Sequence, residues 1–388
     1  MTARNAGGPF AATDILGGMH AATFLRRHWQ KQPLLVRGAL PGFGGVVDLA
    51  GMFDLACRDD CESRLVQRRS GRWSVEHGPF RPGRLARLPA SGWTLLVQGL
   101  ERVLPAARSL LDRFAFIPYS RLDDLMVSYA PAGGGVGPHF DSYDVFLLQG
   151  PGRRRWKTGR QRDLALVADA PLKILQRFAP EGECVLSPGD MLYLPPECAH
   201  DGVAVDACYT YSIGFRAPSH RELISGFLAF LEDRADGEGR YGDPDLRSQR
   251  RPARLGTAMA GKVERVLRSI EWTRRDVGVF LGLHLTEPAA GVAFAGPARP
   301  LTPRAFTAAA RRGAVALAGA SRMLYEGPDF FINGECHAVA GGSAALRTLA
   351  DTRRLPGAMI APRGAPAELL YQWYRAGYIC LHAPRAAR

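Results

Sequence analysis

The alternation of apolar and polar positions changes period twice along the chain. From Leu125 to Phe215 it runs in short apolar segments broken by Gly and Pro: Leu125–Tyr129, Val145–Gln149, Arg155–Thr158, Glu183–Leu186, Met191–Leu194 and Ala207–Phe215, where Tyr209, Tyr211, Ile213 and Phe215 alternate strictly. Short strands at this spacing predict a double-sheet barrel of the jelly-roll or cupin type, whose mouth is a place for a ligand. Ahead of it, Thr23–Trp29 has helical spacing, and Gln32–Arg37 reads as a short strand after a proline stop.

Beyond Phe215 the period becomes helical. Ser219 and Glu222 form a capping-box pair ahead of Leu223, Ile224, Phe227, Leu228, Phe230 and Leu231. A polar stretch over 236–252 leads to a second helical region from Leu255 to Leu285, and the Ala/Gly/Pro-rich 287–303 reads as a linker. In 301–388, Pro303–Phe306 opens a helix, and strand-like Met323–Tyr325 and Phe330–Ile332 flank a Gly-Pro-Asp turn. Ala344–Leu349 is again helical, and the aromatic run from Leu369 to Leu381 closes on strand-like 377–380. Helices with a small β-wing fit a winged-helix unit. The expected fold class is α+β, divided into 1–216, 217–300 and 301–388.

Composition narrows the function classes. The chain has 388 residues, 46% of them apolar, enough for a substantial core. Seven Cys, an odd number without a Cys-x-x-Cys pair, read as reduced thiols of a cytoplasmic protein rather than a disulfide or zinc framework. Residues 1–10 lack a charged start followed by an apolar stretch, and no apolar run reaches membrane-spanning length, so neither secretion nor a membrane is expected. The net charge of +13 invites a nucleic-acid reading, yet only Lys31, Lys157, Lys173 and Lys262 among the 50 basic residues are lysines. Together with the abundance of Ala and Gly, this looks like the codon bias of a GC-rich genome. A basic balance alone supports only non-specific association, and direct nucleic-acid contact stays open.

His139-Phe140-Asp141 and the later His200 change the picture more. Two imidazoles and a carboxylate hold a divalent metal on one face and leave positions open, the arrangement that suits non-haem Fe(II) oxygenases. A lone His-x-Asp is close to what chance supplies, so the neighbours carry the inference. A Gly-rich approach, 133–137, runs through Pro138 into His139, and on a strand His139 and Asp141 would project to the same face. The turn Pro188-Gly189-Asp190 sends a strand into Pro195-Pro196, with His200 starting the next strand. His220-x-Glu222 competes as a ligand pair, but Glu222 already has a structural task in the cap. Between the halves of the motif lie Arg153, Arg154 and Arg155, and strand alternation turns Arg154 opposite to its neighbours. A buried guanidinium needs an anion, and a dicarboxylate such as 2-oxoglutarate would supply one.

The blocks Asp123–Tyr129, Gly133–Phe146, Gly152–Trp156, Pro188–Asp190 and Tyr211–Pro218, with Arg221–Phe227, resemble the bacterial ribosomal oxygenases of the JmjC/cupin superfamily, and among them the ribosomal-protein arginine 3-hydroxylases. The likeness begins at Trp29–Leu35 and Ser63–Val66 and is weakest beyond about 235. The resemblance implies a JmjC-type double-stranded β-helix, a helical dimerisation region that makes a homodimer, and a carboxy-terminal winged helix. It implies Fe(II), with 2-oxoglutarate and dioxygen as cosubstrates. Iron would be bound by His139, Asp141 and His200. Arg154 would pair with the distal carboxylate of 2-oxoglutarate and Ser128 would hydrogen-bond it. Thr210, on the strand lining that pocket, departs from the Asn common in relatives. The implied substrate is an arginine in a large-subunit ribosomal protein, hydroxylated at its β-carbon, with Tyr143 and Asp144 as candidate contacts for its charged side chain. Rival readings are hydroxylation of another ribosomal residue such as histidine, lysine demethylation, a cupin isomerase, and a non-catalytic ribosome- or RNA-binding protein.

Overall fold

The computed structural model describes residues 15–235, 239–248, 250–340 and 343–382. Residues 1–10 and part of the polar stretch 236–252 lie outside this range. The chain enters through α1 (Ala21–Arg27), β1 (Leu34–Val36), α2 (Leu49–Ala56), β2 (Ser63–Arg69), β3 (Arg72–His77), α3 (Pro82–Leu85), β4 (Trp93–Val97), α4 (Leu100–Val103) and α5 (Pro105–Leu111). Then come β5 (Leu122–Ala130), β6 (Asp144–Gln149), β7 (Arg154–Gly159), β8 (Gly182–Leu186), β9 (Met191–Leu194), β10 (Ala199–Ala204) and β11 (Cys208–Phe215). One antiparallel sheet has the order β1-β9-β6-β11-β5-β4-β2-β3, and a smaller one the order β10-β7-β8.

The pleat of β6 and β9 explains how these sheets stack. Successive side chains point to opposite faces. Phe146, Leu148, Met191 and Tyr193 therefore join Phe24, Phe114 and Phe215 in the core beneath the amino-terminal helices. Val145, Leu147, Leu192 and Leu194 turn the other way and meet Trp156 and Leu186 of the smaller sheet. Both faces are covered, which is why these strands read as continuous apolar runs.

After the barrel come α6 (His220–Glu232), α7 (Thr257–Arg268) and α8 (Arg274–Thr286). The Ser219–Glu222 capping box is formed in both directions, which engages Glu222 as a cap. The helical region from Leu255 to Leu285 is two helices, because a second box, Thr273 with Asp276, starts α8 afresh. The carboxy-terminal part holds α9 (Pro303–Arg312), β12 (Ala314–Leu317), β13 (Met323–Glu326), β14 (Asp329–Ile332), β15 (Glu335–Ala338), α10 (Ala344–Thr352), β16 (Arg354–Pro356), α11 (Ala365–Ala376) and β17 (Ile379–His382). Two small sheets, β16-β12-β17 and β13-β14-β15, enclose a core containing Phe306, Phe330, Leu349 and Trp373. Helix α8 lies directly on β14, where a Cβ at Gly282 would sit 2.4 Å from the Phe331 ring. Among the described residues, no helix is long and apolar enough to cross a membrane.

Candidate metal and cosubstrate centre

His139 and His200 are joined by a single antiparallel bridge. His139 N donates to His200 O at 2.9 Å, and His200 N donates to His139 O at 2.8 Å. The strand expected through His139 and Asp141 does not form; the segment is a loop that meets β10 at this isolated bridge and, further back, at Gly133 and Gly134, which bond to Ala204. Its glycines explain the loop. A Cβ on Gly135 would lie 2.7 Å from Gly202 O, and Gly137 adopts φ 82°, a region that favours glycine. The loop before His200 is tied to the same place, since Glu197 N donates to Asp141 O at 2.7 Å. The turn at Pro188–Asp190 has a structural role, with buried Asp190 accepting from Ser187 N, Gly38 N and Arg37.

These constraints bring ligand atoms of His139, Asp141 and His200 within 4.8 Å of one another. Each imidazole Nδ1 faces a backbone carbonyl, His139 that of Gly137 at 2.8 Å and His200 that of Cys198 at 2.9 Å. A carbonyl only accepts, so Nδ1 carries the proton and Nε2 presents a lone pair. Burial, and then the neighbouring His139, pull the His200 imidazole well below its ordinary value, which keeps it neutral and able to ligate. His220, the competing ligand, lies at the start of α6, outside this cluster.

The triad opens on a cavity of about 500 Å³ whose lining includes Ser128, Arg154 and Thr210. Ser128 and Thr210 are directly paired across β5 and β11, and both are buried. Arg154 is 3% exposed, and its Nε and Nη2 have no hydrogen-bond partner. The adjacent arginines face outward, as alternation requires, Arg153 to Asp206 and Arg155 to Glu183. A guanidinium buried without an anion is costly, so the residues fit a metal and a carboxylate cosubstrate: two imidazole nitrogens and one carboxylate at one place, a cation without an anion at another.

Tyr143 lines the cavity, but Asp144 does not. Asp144 is fully buried on the other side, accepting from Tyr193 Oη at 2.6 Å and Gln30 Nε2 at 3.0 Å, so it is a structural carboxylate and no substrate contact. Apart from Asp141, the acids among the cavity-lining residues are Asp123 and Asp124, of which Asp124 is the more buried. Its carboxyl is pushed up to about 7 by burial and then by Glu101 and Asp123. Asp124 and Tyr143 flank Gly214: a Cβ there would lie 3.6 Å from Asp124 Oδ1 and 3.8 Å from Tyr143 Cε2. Asp124 lies just ahead of the apolar run Leu125–Tyr129, so the periodicity of that run does not include it. Its alternation with Met126 and Ser128, which also line the cavity, was the available signal.

A cupin-type barrel carrying two His and one carboxylate, with a buried unpartnered Arg in the same cavity, defines a non-haem Fe(II) oxygenase that uses a 2-oxo acid. The JmjC domain family matches residues 109–223, and the ROXA-like winged helix matches residues 269–379. The ribosomal protein uL16 3-hydroxylase of Escherichia coli is 35% identical over 316 residues, covering 80% of this chain and 84% of that protein. A probable ribosomal oxygenase of Haemophilus influenzae is 43% identical over 208 residues, covering 52% of this chain and 51% of its own. The crystal structure of E. coli YcfD superposes with a TM-score of 0.84 at 32% identity, covering 94% of this chain and 99% of that one. The same ribosomal oxygenase in complex with cobalt and 2-oxoglutarate superposes at 0.81, with 31% identity and the same coverage. The chain belongs to the bacterial ribosomal oxygenases of the JmjC family. It is a 2-oxoglutarate-dependent dioxygenase with a winged-helix domain at its carboxy-terminal end, which removes the isomerase and non-catalytic readings.

Proposed function

We propose that this oxygenase hydroxylates the β-carbon of an arginine in a large-subunit ribosomal protein, a uL16-type substrate being favoured by the relationship to the E. coli enzyme. The observation that carries the side-chain assignment is the slot over Gly214, walled by the Asp124 carboxylate and the Tyr143 ring. A guanidinium is planar and permanently charged; it pairs with a carboxylate and stacks on an aromatic face. A neutral imidazole would leave Asp124 without a cation, which disfavours histidine, and an ammonium would not use the flat slot.

His139, Asp141 and His200 would hold Fe(II). Arg154 would receive the distal carboxylate of 2-oxoglutarate, with Ser128 and Thr210 beside it. When bound, iron, 2-oxoglutarate and dioxygen supply the oxidising chemistry that replaces an unactivated C–H by C–OH, with release of succinate and carbon dioxide. The chain's own contribution is orientation. Arg154 fixes one end of the cosubstrate, the carbonyl-anchored imidazoles keep Nε2 aimed inward, and the Asp124 slot holds the guanidinium so that the β-carbon is presented toward the metal.

The region 217–300 carries large exposed apolar residues, among them Ile224, Leu228, Val266, Leu267 and Trp272. An apolar set of this size, on α6, on α7 and between α7 and α8, is covered by a second copy of the chain in this reading, making a homodimer. The winged helix is placed at 301–388, and the cytoplasm, where ribosomes are made, is the expected compartment.

Reconstitution tests the substrate. Purified protein with Fe(II), 2-oxoglutarate and an arginine-bearing uL16 peptide is expected to form succinate in step with peptide hydroxylation. The same peptide with that arginine replaced by Lys is expected to be inert. Equal turnover of the two peptides, or hydroxylation mapped to a histidine, would reject the assignment.

A further inference from the structure

The loop between β12 and β13, residues 318–322, belongs to the winged-helix part yet ends against Asp123, one of the residues that line the substrate cavity. It is held from several directions. Arg353, itself at φ 57°, donates from Nη1 to Ser321 O and from Nη2 to Ala318 O, both at 2.9 Å. Ser321 Oγ donates to Tyr378 O at 2.7 Å, and Arg322 N to Asn333 Oδ1 at 2.9 Å. The loop presses on the barrel at Gly319, where a Cβ would lie 2.4 Å from Arg102 O and 2.8 Å from Glu101 O. From this fixed base the Arg322 side chain reaches β5: Nη2 donates to Asp123 O at 3.0 Å and lies 3.5 Å from Asp123 Oδ1. Arg216, at the end of β11, donates to the same Asp123 Oδ1 at 3.2 Å. Asp123 immediately precedes Asp124.

We infer that Arg322 is a positioning residue for the substrate slot: by gripping both the backbone and the carboxylate of Asp123, the winged-helix loop sets the place and charge environment of Asp124. This rests on the reading of Asp124 as the guanidinium partner. A hydrogen bond to the Asp123 backbone together with an ion-pair contact to its carboxylate, both from Arg322 Nη2, restrains that residue more than either contact alone. The charge effect runs the same way. Asp123, after burial and Glu101, opposes ionisation of Asp124, so a cation against Asp123 favours the charged Asp124 that a guanidinium requires. Arg216 shares the carboxylate but not the backbone carbonyl, so it does not replace Arg322.

The test uses full-length protein loaded with Fe(II) and 2-oxoglutarate, with an arginine-bearing uL16 peptide as the probe. Arg322→Ala is expected to raise the KM and Kd for the peptide roughly tenfold. The KM for 2-oxoglutarate and the peptide-independent formation of succinate should stay unchanged. Arg322→Lys should recover part of the loss, and Gly319→Ala, which lifts the loop without touching a charge, should reproduce it. Asp124→Asn separates the two levels of the argument. If it raises the peptide KM while Arg322→Ala does not, the positioning role is wrong and the slot stands. If Asp124→Asn leaves the KM unchanged, the slot itself is wrong and the inference falls with it. A change of 2-oxoglutarate KM as large as that of peptide KM in Arg322→Ala would mark a general disturbance of the barrel and overturn the positioning role.

Discussion

Asp124 and Arg154 are ionisable groups placed where burial penalises charge; in the proposed reading one faces a cationic substrate and the other an anionic cosubstrate. Arg154 has buried N–H groups without partners, so its contribution is to binding rather than to stability. A charge-assisted hydrogen bond is worth about 1.5–3 kcal/mol. Arg154→Ala is therefore expected to raise the KM for 2-oxoglutarate by roughly ten- to a hundredfold, read from succinate formation against cosubstrate concentration. An unchanged KM would remove Arg154 from the cosubstrate site. Asp124 gives a pH prediction. Its folded carboxyl titrates at about 7, while an unfolded Asp titrates at about 3.9. Between these values the folded protein keeps a proton that the unfolded chain has released. By linkage this costs stability progressively as pH rises from about 4 to about 7. Asp124→Asn should accordingly stabilise the substrate-free protein at pH 7 and leave it near wild type at pH 4.5, measured by urea unfolding. A gain that is equal at both pH values would contradict the raised carboxyl.

At the scale of elements, the slot depends on β11 staying bare at Gly214. Gly214→Ala adds a methyl within ordinary contact of Asp124 and Tyr143, so the fold should tolerate it while the peptide KM rises; an unaltered peptide KM would show that the substrate passes elsewhere. Gly202→Ala is different. Its Cβ would fall 2.5 Å from the Trp156 ring, between β10 and β7, and overpacking of this kind costs about 1–3 kcal/mol. It should show as a lower Tm, and an unchanged Tm would mean that Trp156 can move aside. The barrel was legible because buried strands such as β6 and β9 announce themselves as apolar runs, and the capping boxes because their chemistry is local. Strands β2 and β3 were not, since Arg64, Gln67, Arg68, Arg69 and Arg72 break the apolar pattern where one face meets the cavity or solvent. The grouping of His139, Asp141 and His200 could be expected from spacing and neighbours. The means by which it is achieved, an isolated bridge between the two histidines and the bond from Glu197 N to Asp141 O, depends on tertiary hydrogen bonds that no local pattern encodes. Asp144 misled for the same reason: its burial is decided by Tyr193 and Gln30, both distant in the chain.

The whole molecule joins a barrel, an apolar helical region and a winged helix that braces the barrel at Asp123. If the helical region is a homodimer contact, Leu228→Glu, at a position 61% exposed in the single chain, should leave the fold intact and halve the mass seen by light scattering. A monomeric wild type would contradict the dimer. Several of the chain's arginines have intramolecular roles: Arg322 and Arg216 at Asp123, and Arg353 against the 318–322 loop. The central claim is that this oxygenase adds one oxygen to an arginine of a large-subunit ribosomal protein. Its most direct test is tandem mass spectrometry of ribosomal proteins from cells with the gene, without it, and with the gene carrying His139→Ala. The account predicts one arginine bearing an added oxygen on its β-carbon in the first sample alone; large-subunit arginines that are identical in all three samples would contradict it.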